Sequence, residues 1–156
     1  MASEHTLRRH VEFAETDMAG IVHFSHFFRY MEEAEHAFVH SLGFALHEHS
    51  AGTMSGFARV NADCDYRAPL RYHDTVEVRL TLTRKGTRSL TYRFDFRKVL
   101  DRGVSCAPVD VARGTLTVVH VTRAAEEEEL SAAPLPPALA AVLEEAPSEA
   151  LETDRS

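Results

Sequence analysis

Apolar and polar residues alternate along much of the second half of the chain. The apolar positions of three such segments are Val60, Ala62, Cys64 and Tyr66, then Val76, Val78, Leu80 and Leu82, and then Leu90, Tyr92, Phe94 and Phe96. A period of two places successive side chains on opposite faces of an extended strand, so each segment predicts a strand with one buried face. Residues 111–122 predict a last, less regular strand, and Val11 to Phe13 predict a short first one. Between strands, residues 85–87 predict a tight hairpin turn and residues 101–110 a longer loop.

The spacing of apolar residues changes between the first predicted strand and the others. In the segment between them, apolar residues recur every three or four positions, at Phe27, Met31, Ala34, Phe38 and Leu42. This spacing is typical of an amphipathic helix that packs on a core. Ser25 is a candidate N-cap residue and Gly43 lies where such a helix would end, so we predict a helix over about residues 26–42.

Four strands with one apolar face each predict an antiparallel sheet, because parallel sheets covered on both sides have continuous apolar runs. The predicted helix is the long apolar element available to cover that face. We therefore predict an α+β fold, an antiparallel sheet wrapped around one long central helix, in the order β-α-β-β-β-β. One helix is too small to cover the whole sheet, so we also expect a homodimer or homotetramer.

Length and composition narrow the class of protein. The chain has 156 residues, which fits one domain. It has no apolar stretch near the roughly 18 residues that a membrane span needs and no export-type apolar run at its start, so we expect a cytoplasmic protein without a membrane partner. Its two cysteines are expected to be free thiols in that compartment.

The net charge of -7 comes from the end of the chain. Residues 124–156 hold nine acidic groups and one basic group, and the rest is nearly neutral. We therefore divide the chain into a domain at residues 1–123 and an acidic tail rich in Ala and Pro at residues 124–156, which we expect to be partly disordered. Half of the domain's basic residues fall within residues 79–102. Such a cationic face suits an anionic small ligand better than a nucleic acid, and it also fits a solvated strand face.

A carboxylate lies in a turn just ahead of the predicted helix. Asp17 is followed by Gly20, and the helix begins a few residues later. A helix N-terminus exposes unpaired N–H groups that can stabilise an oxyanion, and a carboxylate close by can attack the same carbonyl carbon or activate water against it. This pattern fits an acyl-transfer site. From the residues alone, a carboxylate that caps the turn or the helix dipole is the simpler interpretation.

The same segment carries a resemblance to a known family. The run Phe-Ala-Glu-Thr-Asp-Met-Ala-Gly-Ile-Val-His-Phe at residues 13–24, Asp-Tyr-Arg-Ala-Pro at 65–69 and His-Asp-Thr-Val at 73–76 resemble the hot-dog fold thioesterases of the 4-hydroxybenzoyl-CoA thioesterase family. The resemblance covers roughly residues 6–122. It implies a small acyl-CoA thioesterase that acts on an aromatic or medium-chain acyl group, carried either by CoA or by an acyl-carrier protein. It implies no cofactor beyond the CoA of the substrate and no metal.

The resemblance also implies a catalytic set. Asp17 matches the family's catalytic carboxylate, which acts as nucleophile or general base on the thioester carbon. The backbone N–H of Phe24 matches the oxyanion donor at the helix start, and Gly20 belongs to the turn between them. Relatives often have Tyr or His at the position of Phe24, whereas here His23 stands one place earlier, so we assign His23 to substrate binding.

The substrate-binding set follows from the same matching. Arg88 and Ser89 fall where relatives contact the CoA phosphates, and Arg84 and Lys85 are close enough in sequence to join them. Phe27 is assigned to the acyl group. Aromatic residues available to line an acyl pocket are Phe24, Phe27, Phe28, Tyr30 and Phe57.

Two alternatives remain open from the residues alone. One is a non-catalytic hot-dog module that binds acyl-CoA, with Asp17 as a structural cap. The other is a metal-binding domain, because the chain has ten histidines, among them His36 and His40 four apart on the helix. The helix lacks the glutamate of the HExxH zinc motif, which disfavours the metal hypothesis.

Overall fold

The computed structural model describes residues 1–126 and 128–152. Its helices are α1 (His26–Ser41), α2 (Pro137–Val142) and α3 (Ser148–Glu152), and its strands are β1 (Glu4–His10), β2 (Glu48–Ser50), β3 (Thr53–Tyr66), β4 (Thr75–Lys85), β5 (Ser89–Asp101), β6 (Val104–Arg123) and β7 (Ser131–Ala132). The strands form one antiparallel sheet in the order β1-β4-β5-β6-β3-β2, with β7 paired to the end of β6. The predicted architecture, an antiparallel sheet around one long helix, is confirmed.

The long helix α1 packs its apolar stripe against one face of this sheet. Phe27, Met31 and Phe38 are each at most 3% exposed and belong to one core with the inward residues of β4, β5 and β6. At Gly114 on β6, a Cβ atom would lie 2.0 Å from the terminal methyl carbon of Met31. A larger residue there would displace the flexible end of Met31 and crowd the Asp63 carbonyl oxygen, which would lie 3.2 Å from the Cβ.

The predicted ends of the helix are nearly those of the structure. Gly43 has a φ of 87°, and its N–H donates to the carbonyl of His40, so it forms the expected left-handed helix end. Ser25 occupies the N-cap position but makes no side-chain cap hydrogen bond. Its hydroxyl instead lies 2.7 Å from Nδ1 of His23.

The first strand is not where the alternation of Val11 and Phe13 predicts it. The strand is Glu4–His10, which pairs with β4, while Phe13–Glu15 form a 3-10 turn. Glu4–His10 is an edge strand with the sequence EHTLRRH, and charged side chains are common on edge strands because they discourage further pairing. Because the strand has so few apolar residues, the alternation of apolar and polar positions does not predict it.

The prediction of a long loop over residues 101–110 is also wrong. Strands β5 and β6 continue through this region to a two-residue turn at Arg102 and Gly103, whose φ values are 47° and 85°. Two successive positive φ values are typical of a tight hairpin turn. The outer part of this hairpin is exposed, so it lacks the buried apolar face on which the strand prediction depended.

Strand β3 departs from the predicted one-sided burial. Its second half is exposed, with Val60 at 58% and Tyr66 at 46%, and a bulge interrupts its register with β6 between Arg59 and Asn61. β2 covers the outer edge of β3 only over Thr53 to Ser55. Among the described residues the rest of that edge has no strand neighbour.

The segment over residues 131–146, here called the C-terminal strap, packs onto the sheet, which differs from the predicted partly disordered tail. Leu135, Leu139 and Leu143 are at most 5% exposed and belong to the core. Backbone hydrogen bonds join the strap to Ala2 and Leu82 at the same end of the sheet. The part of the predicted tail at residue 127 and residues 153–156 lies outside the described residues.

Candidate active site

Asp17 lies in a tight turn between β1 and α1. The turn is closed by hydrogen bonds from the Asp17 N–H to the Ile21 carbonyl, at 2.8 Å, and from the Gly20 N–H to the Asp17 carbonyl, at 3.0 Å. Gly20 has a φ of 81°, which explains the glycine at that position. Oδ1 of Asp17 accepts a hydrogen bond from the Ala19 N–H at 2.8 Å, whereas Oδ2 accepts none from the described residues. One carboxylate oxygen thus orients the side chain and the other is available for chemistry.

The buried carboxylate of Glu15 anchors this turn to the rest of the fold. It is 5% exposed and accepts two hydrogen bonds from Arg9, one from the Tyr30 hydroxyl and one from the Glu12 N–H. Nε2 of His26 lies 3.0 Å from its Oε2. Burial alone would raise the pKa of Glu15, but these hydrogen bonds and the charge of Arg9 outweigh it, and the net pKa is lowered. Glu15 is therefore a charged anchor two residues from Asp17.

At the start of α1, two backbone N–H groups find no acceptor in the described part of the chain. The His26 N–H donates to the His23 carbonyl and the Phe28 N–H to the Ser25 carbonyl, while the N–H groups of Phe24 and Phe27 have no acceptor among the described residues. Unpaired donors at a helix start carry partial positive charge and favour a developing negative charge.

Asp17 and this helix start line one cleft of about 590 Å³. Its walls are mainly apolar, and its lining residues are Asp17, Ile21, Val22, Phe24, Phe27, Tyr66, Arg67, Ala68, Pro69 and Leu70. The Tyr66 hydroxyl donates to the Phe24 carbonyl at 2.7 Å, and the rings of Tyr66 and Phe27 meet edge to face at 5.1 Å. Tyr66 therefore fixes the backbone at the helix start while forming part of the wall.

The structure brings together some of the predicted site residues and leaves others outside this cleft. Asp17, Phe24 and Phe27 line it, and Gly20 shapes the turn without lining it. The His23 side chain stacks on the Phe24 ring with centroids 4.6 Å apart and is not part of the lining. Of the aromatic residues that the sequence offered for an acyl pocket, only Phe24 and Phe27 line this cleft in the described part of the chain.

The predicted phosphate-binding residues lie at the hairpin between β4 and β5, far from this cleft within one chain. β4 begins at Thr75, close to the cleft residue Leu70, and ends at Lys85, so the hairpin is roughly 30 Å away at about 3.3 Å per residue. Arg84 and Arg88 are exposed there and Ser89 is half-buried.

Lys85 at the same hairpin is already engaged. Its Nζ donates to the carbonyls of Ala140 and Leu143 in the C-terminal strap, at 2.6 and 3.0 Å. Its backbone N–H donates to Glu145. Lys85 thus holds the strap against the hairpin, which leaves Arg84 and Arg88 as the hairpin cations exposed to solvent.

Sequence reasoning missed the two residues that position this site, Glu15 and Tyr66. The signal for Glu15 was weak, since a glutamate two residues before Asp17 in a polar turn is expected to be solvated. Tyr66 was assigned to the buried face of a strand by its alternation, whereas it lies at the exposed end of β3 and reaches the helix start.

The described residues contain no group of three or more His, Cys, Asp or Glu side chains that could hold a metal ion. Cys64 and Cys106 are both free. In that same part of the chain, no helix has the length and apolar character required for a membrane span.

Comparisons with known proteins identify the family. A family model described as the thioesterase superfamily matches residues 19–105. A protein of Aquifex aeolicus that carries a provisional esterase name is 40% identical over 87 residues, which cover 56% of this chain and 67% of that protein. A 1,4-dihydroxy-2-naphthoyl-CoA hydrolase of Prochlorococcus marinus is 30% identical over 99 residues, which cover 59% of this chain and 64% of that enzyme. The matches thus span about two thirds of the length of these relatives.

A solved structure agrees with the fold. The 4-hydroxybenzoyl-CoA thioesterase of Pseudomonas sp. strain CBS-3 superposes with a TM-score of 0.71 over 88% of this chain and 97% of that one, at 18% identity. At this identity the likeness concerns the fold alone. The chain belongs to the thioesterase superfamily and has the hot-dog fold, as the motif around Asp17 predicted.

Proposed function

We propose that the protein is an acyl-CoA thioesterase whose catalytic carboxylate is Asp17. The observation that carries this proposal is one cleft lined by Asp17, Phe24 and Phe27. Among the described residues, one Asp17 carboxylate oxygen accepts no hydrogen bond and the N–H groups of Phe24 and Phe27 have no acceptor. A thioester hydrolase needs these two elements, a group that attacks or activates water and donors for the oxyanion.

The reaction proceeds at the thioester carbon. Asp17 either takes a proton from water as the water attacks, or attacks the carbon itself and forms an anhydride that water then opens. In both routes the carbonyl oxygen gains negative charge beside the N–H of Phe24, and the C–S bond breaks. The products are the carboxylate and the CoA thiol, with no cofactor beyond the CoA of the substrate.

The wall of the cleft supports an aromatic acyl group. Phe24, Phe27 and Tyr66 present ring surfaces, and Pro69 and Leu70 complete an apolar lining. Aromatic rings stack favourably on such side chains. The Prochlorococcus relative is named as a hydrolase of an aromatic acyl-CoA, which agrees with this choice. A medium-chain acyl group or an acyl group on a carrier protein is the alternative donor.

The CoA phosphates are assigned to Arg84, Arg88 and Ser89, at the hairpin of a second copy of the chain. The distance along β4 separates this hairpin from the cleft of the same chain. A homodimer or homotetramer, in which the open edge of β3 meets another copy, would bring the two parts of the site together. Mixing Asp17→Asn chains with Arg88→Ala chains tests this, because hybrid assemblies then regain one intact site.

The catalytic proposal is tested by CoA release from a panel of aromatic and straight-chain acyl-CoA thioesters, measured with a thiol reagent. The Asp17→Asn variant should lose about a hundredfold to ten-thousandfold in kcat, the usual contribution of general-base catalysis. Asp110→Asn is the matched control, since Asp110 is an exposed carboxylate on β6, outside both the cleft and the open edge of β3. Tight acyl-CoA binding without turnover on any thioester would instead favour the non-catalytic binding module.

A further inference from the structure

A second cleft lies at the other end of β3, beside the hairpin formed by β2 and β3. It has a volume of about 310 Å³ and is lined by the hydroxyl residues Ser50, Thr53, Ser55 and Thr122 together with Glu48 and Arg123. Ser55 is about 11 residues before Tyr66 on the same strand, roughly 35 Å from the Asp17 cleft at about 3.3 Å per residue. The proposed thioesterase reaction does not use this region.

Behind Ser55 stands a buried imidazole. Oγ of Ser55 lies 2.8 Å from Nε2 of His120, and Nδ1 of His120 lies 2.8 Å from the carbonyl oxygen of Pro134 in the C-terminal strap. His120 is 5% exposed, and its ring packs against that of Phe57 with centroids 5.3 Å apart. The backbone of His120 is also held, since its N–H donates to the Arg88 carbonyl.

These contacts determine which nitrogen of His120 carries the proton. A carbonyl oxygen can only accept, so Nδ1 must donate to Pro134. In the neutral ring Nε2 then has a free lone pair and accepts the hydrogen bond from the Ser55 hydroxyl. This is the tautomer that a general base for Ser55 requires.

We propose that Ser55 is a nucleophile for small uncharged carboxylic esters, with His120 as its general base and the Pro134 carbonyl as the orienting group. The three are linked as nucleophile, base and orienting acceptor, each at hydrogen-bond distance. Ser55 lines the cleft while the base lies buried behind it, so the hydroxyl faces the space from which an ester would approach.

Size and charge define the class of ester. The cleft holds about ten water volumes at about 30 Å³ each, which suits a short acyl group. Glu48 lies directly opposite Ser55 across the β2–β3 pair and disfavours an anionic ester. Arg123 also lines the cleft, so a cationic side chain is available to stabilise the negative charge that develops on the ester carbonyl oxygen.

The proposed reaction uses water as its second substrate. The Ser55 proton moves to Nε2 of His120 as Oγ bonds to the ester carbon, and the Pro134 carbonyl stabilises the imidazolium. The bond from the carbonyl carbon to the leaving oxygen then breaks, and that oxygen takes the proton from His120. Water next gives a proton to His120 and attacks the acyl group on Ser55. The bond between the acyl carbon and Oγ breaks, Oγ takes the proton back from His120, and the carboxylic acid leaves.

The test is release of p-nitrophenol from p-nitrophenyl acetate by full-length protein that carries Asp17→Asn, which removes the proposed thioesterase carboxylate from the measurement. Adding Ser55→Ala should abolish the remaining release. Adding Ser105→Ala should leave it unchanged, since Ser105 is an exposed serine on β6 that lines neither cleft. His120→Gln should slow the release about a hundredfold, the lower range for loss of a general base. Release that is the same with Ser55 and with Ala at this position would overturn the proposal.

A second measurement covers the case in which His120→Gln fails to fold. In Ser55→Cys, the new thiol should react with iodoacetamide at least tenfold faster than Cys64 and Cys106, because His120 would promote thiolate formation. Equal alkylation rates for the three thiols would show that the pair of Ser55 and His120 serves only to attach the strap. Neither result depends on whether the chain hydrolyses CoA thioesters.

Discussion

Truncation of Leu143 to alanine tests the packing of the C-terminal strap. Leu143 is fully buried, and its side chain belongs to the main core. Removing its buried carbons costs about 0.8 kcal/mol for each methylene and leaves a cavity, so we expect a loss of about 3 kcal/mol in the free energy of unfolding. For a chain of this size each kcal/mol lowers Tm by about 2 to 4 °C, which gives a decrease of about 6 to 12 °C.

The assay is thermal and urea unfolding followed by circular dichroism, with Leu130→Ala as the control. Leu130 precedes the strap and is 48% exposed, so its truncation should change stability by less than about 0.5 kcal/mol. Equal, small effects of the two substitutions would refute the packed strap and restore the expectation of a solvated tail.

Three further predictions follow from the core and the helix start. Burial raises the pKa of Glu35 from an ordinary value of 4.5 to about 7, despite the opposing charge of Arg59. The folded state therefore binds this proton more tightly than the unfolded state does. The resulting contribution to the free energy of unfolding is fully present below pH 4.5, and about 3 kcal/mol of it is lost as the pH rises through 7. Urea midpoints should therefore fall from pH 5 to pH 8 in the native protein and stay level in Glu35→Gln, and parallel curves for the two would contradict this origin. Gly114→Ala should cost about 1 kcal/mol in urea unfolding, because the flexible end of Met31 can move away from the new Cβ, and a loss above about 3 kcal/mol would show that Met31 is held in place. Phe24→Pro removes the backbone N–H, whereas Phe24→Ala keeps it. The kcat of Phe24→Pro should be about a hundredfold or more below that of Phe24→Ala, and equal kcat values would show that this N–H is not part of the oxyanion site.

Alternation predicted the central strands well, because their inward residues are buried against one helix. Val76 to Leu82 on β4 and Leu90 to Phe96 on β5 keep one apolar face over their whole length. β1 was missed because an edge strand needs few apolar residues, and its pairing with β4 depends on backbone hydrogen bonds that leave no pattern in the side chains.

The strap did carry a signal that its acidic composition obscured. Leu135, Leu139 and Leu143 are spaced four apart, which is typical of an apolar stripe, and all three are buried. Charge and proline content describe the solvent side of such a segment, whereas its attachment depends on a few apolar side chains and on the contact with Lys85.

The motif around Asp17 located the candidate site because it combines a turn glycine, a carboxylate and a helix start within a few residues. These elements are local in sequence, so the motif could predict that Asp17 and Phe24 line one cleft. The contacts of Glu15 with Arg9 and Tyr30 join distant parts of the chain, and no local pattern indicates them. The assignment of Arg88 to the substrate likewise concerns a distant hairpin and stays a prediction.

The central claim, that Asp17 and the start of α1 act on the same carbonyl group, is tested most directly by a crystal structure with an aromatic acyl-CoA analogue. In this analogue a methylene group replaces the sulfur, so that the carbonyl is kept but cannot be hydrolysed. We predict the carbonyl oxygen at about 2.7 to 3.1 Å from the Phe24 N–H nitrogen and an Asp17 carboxylate oxygen at about 3 to 3.5 Å from the carbonyl carbon or from a water beside it. An acyl group bound outside this cleft, or a carbonyl oxygen turned away from the helix start, would contradict the account.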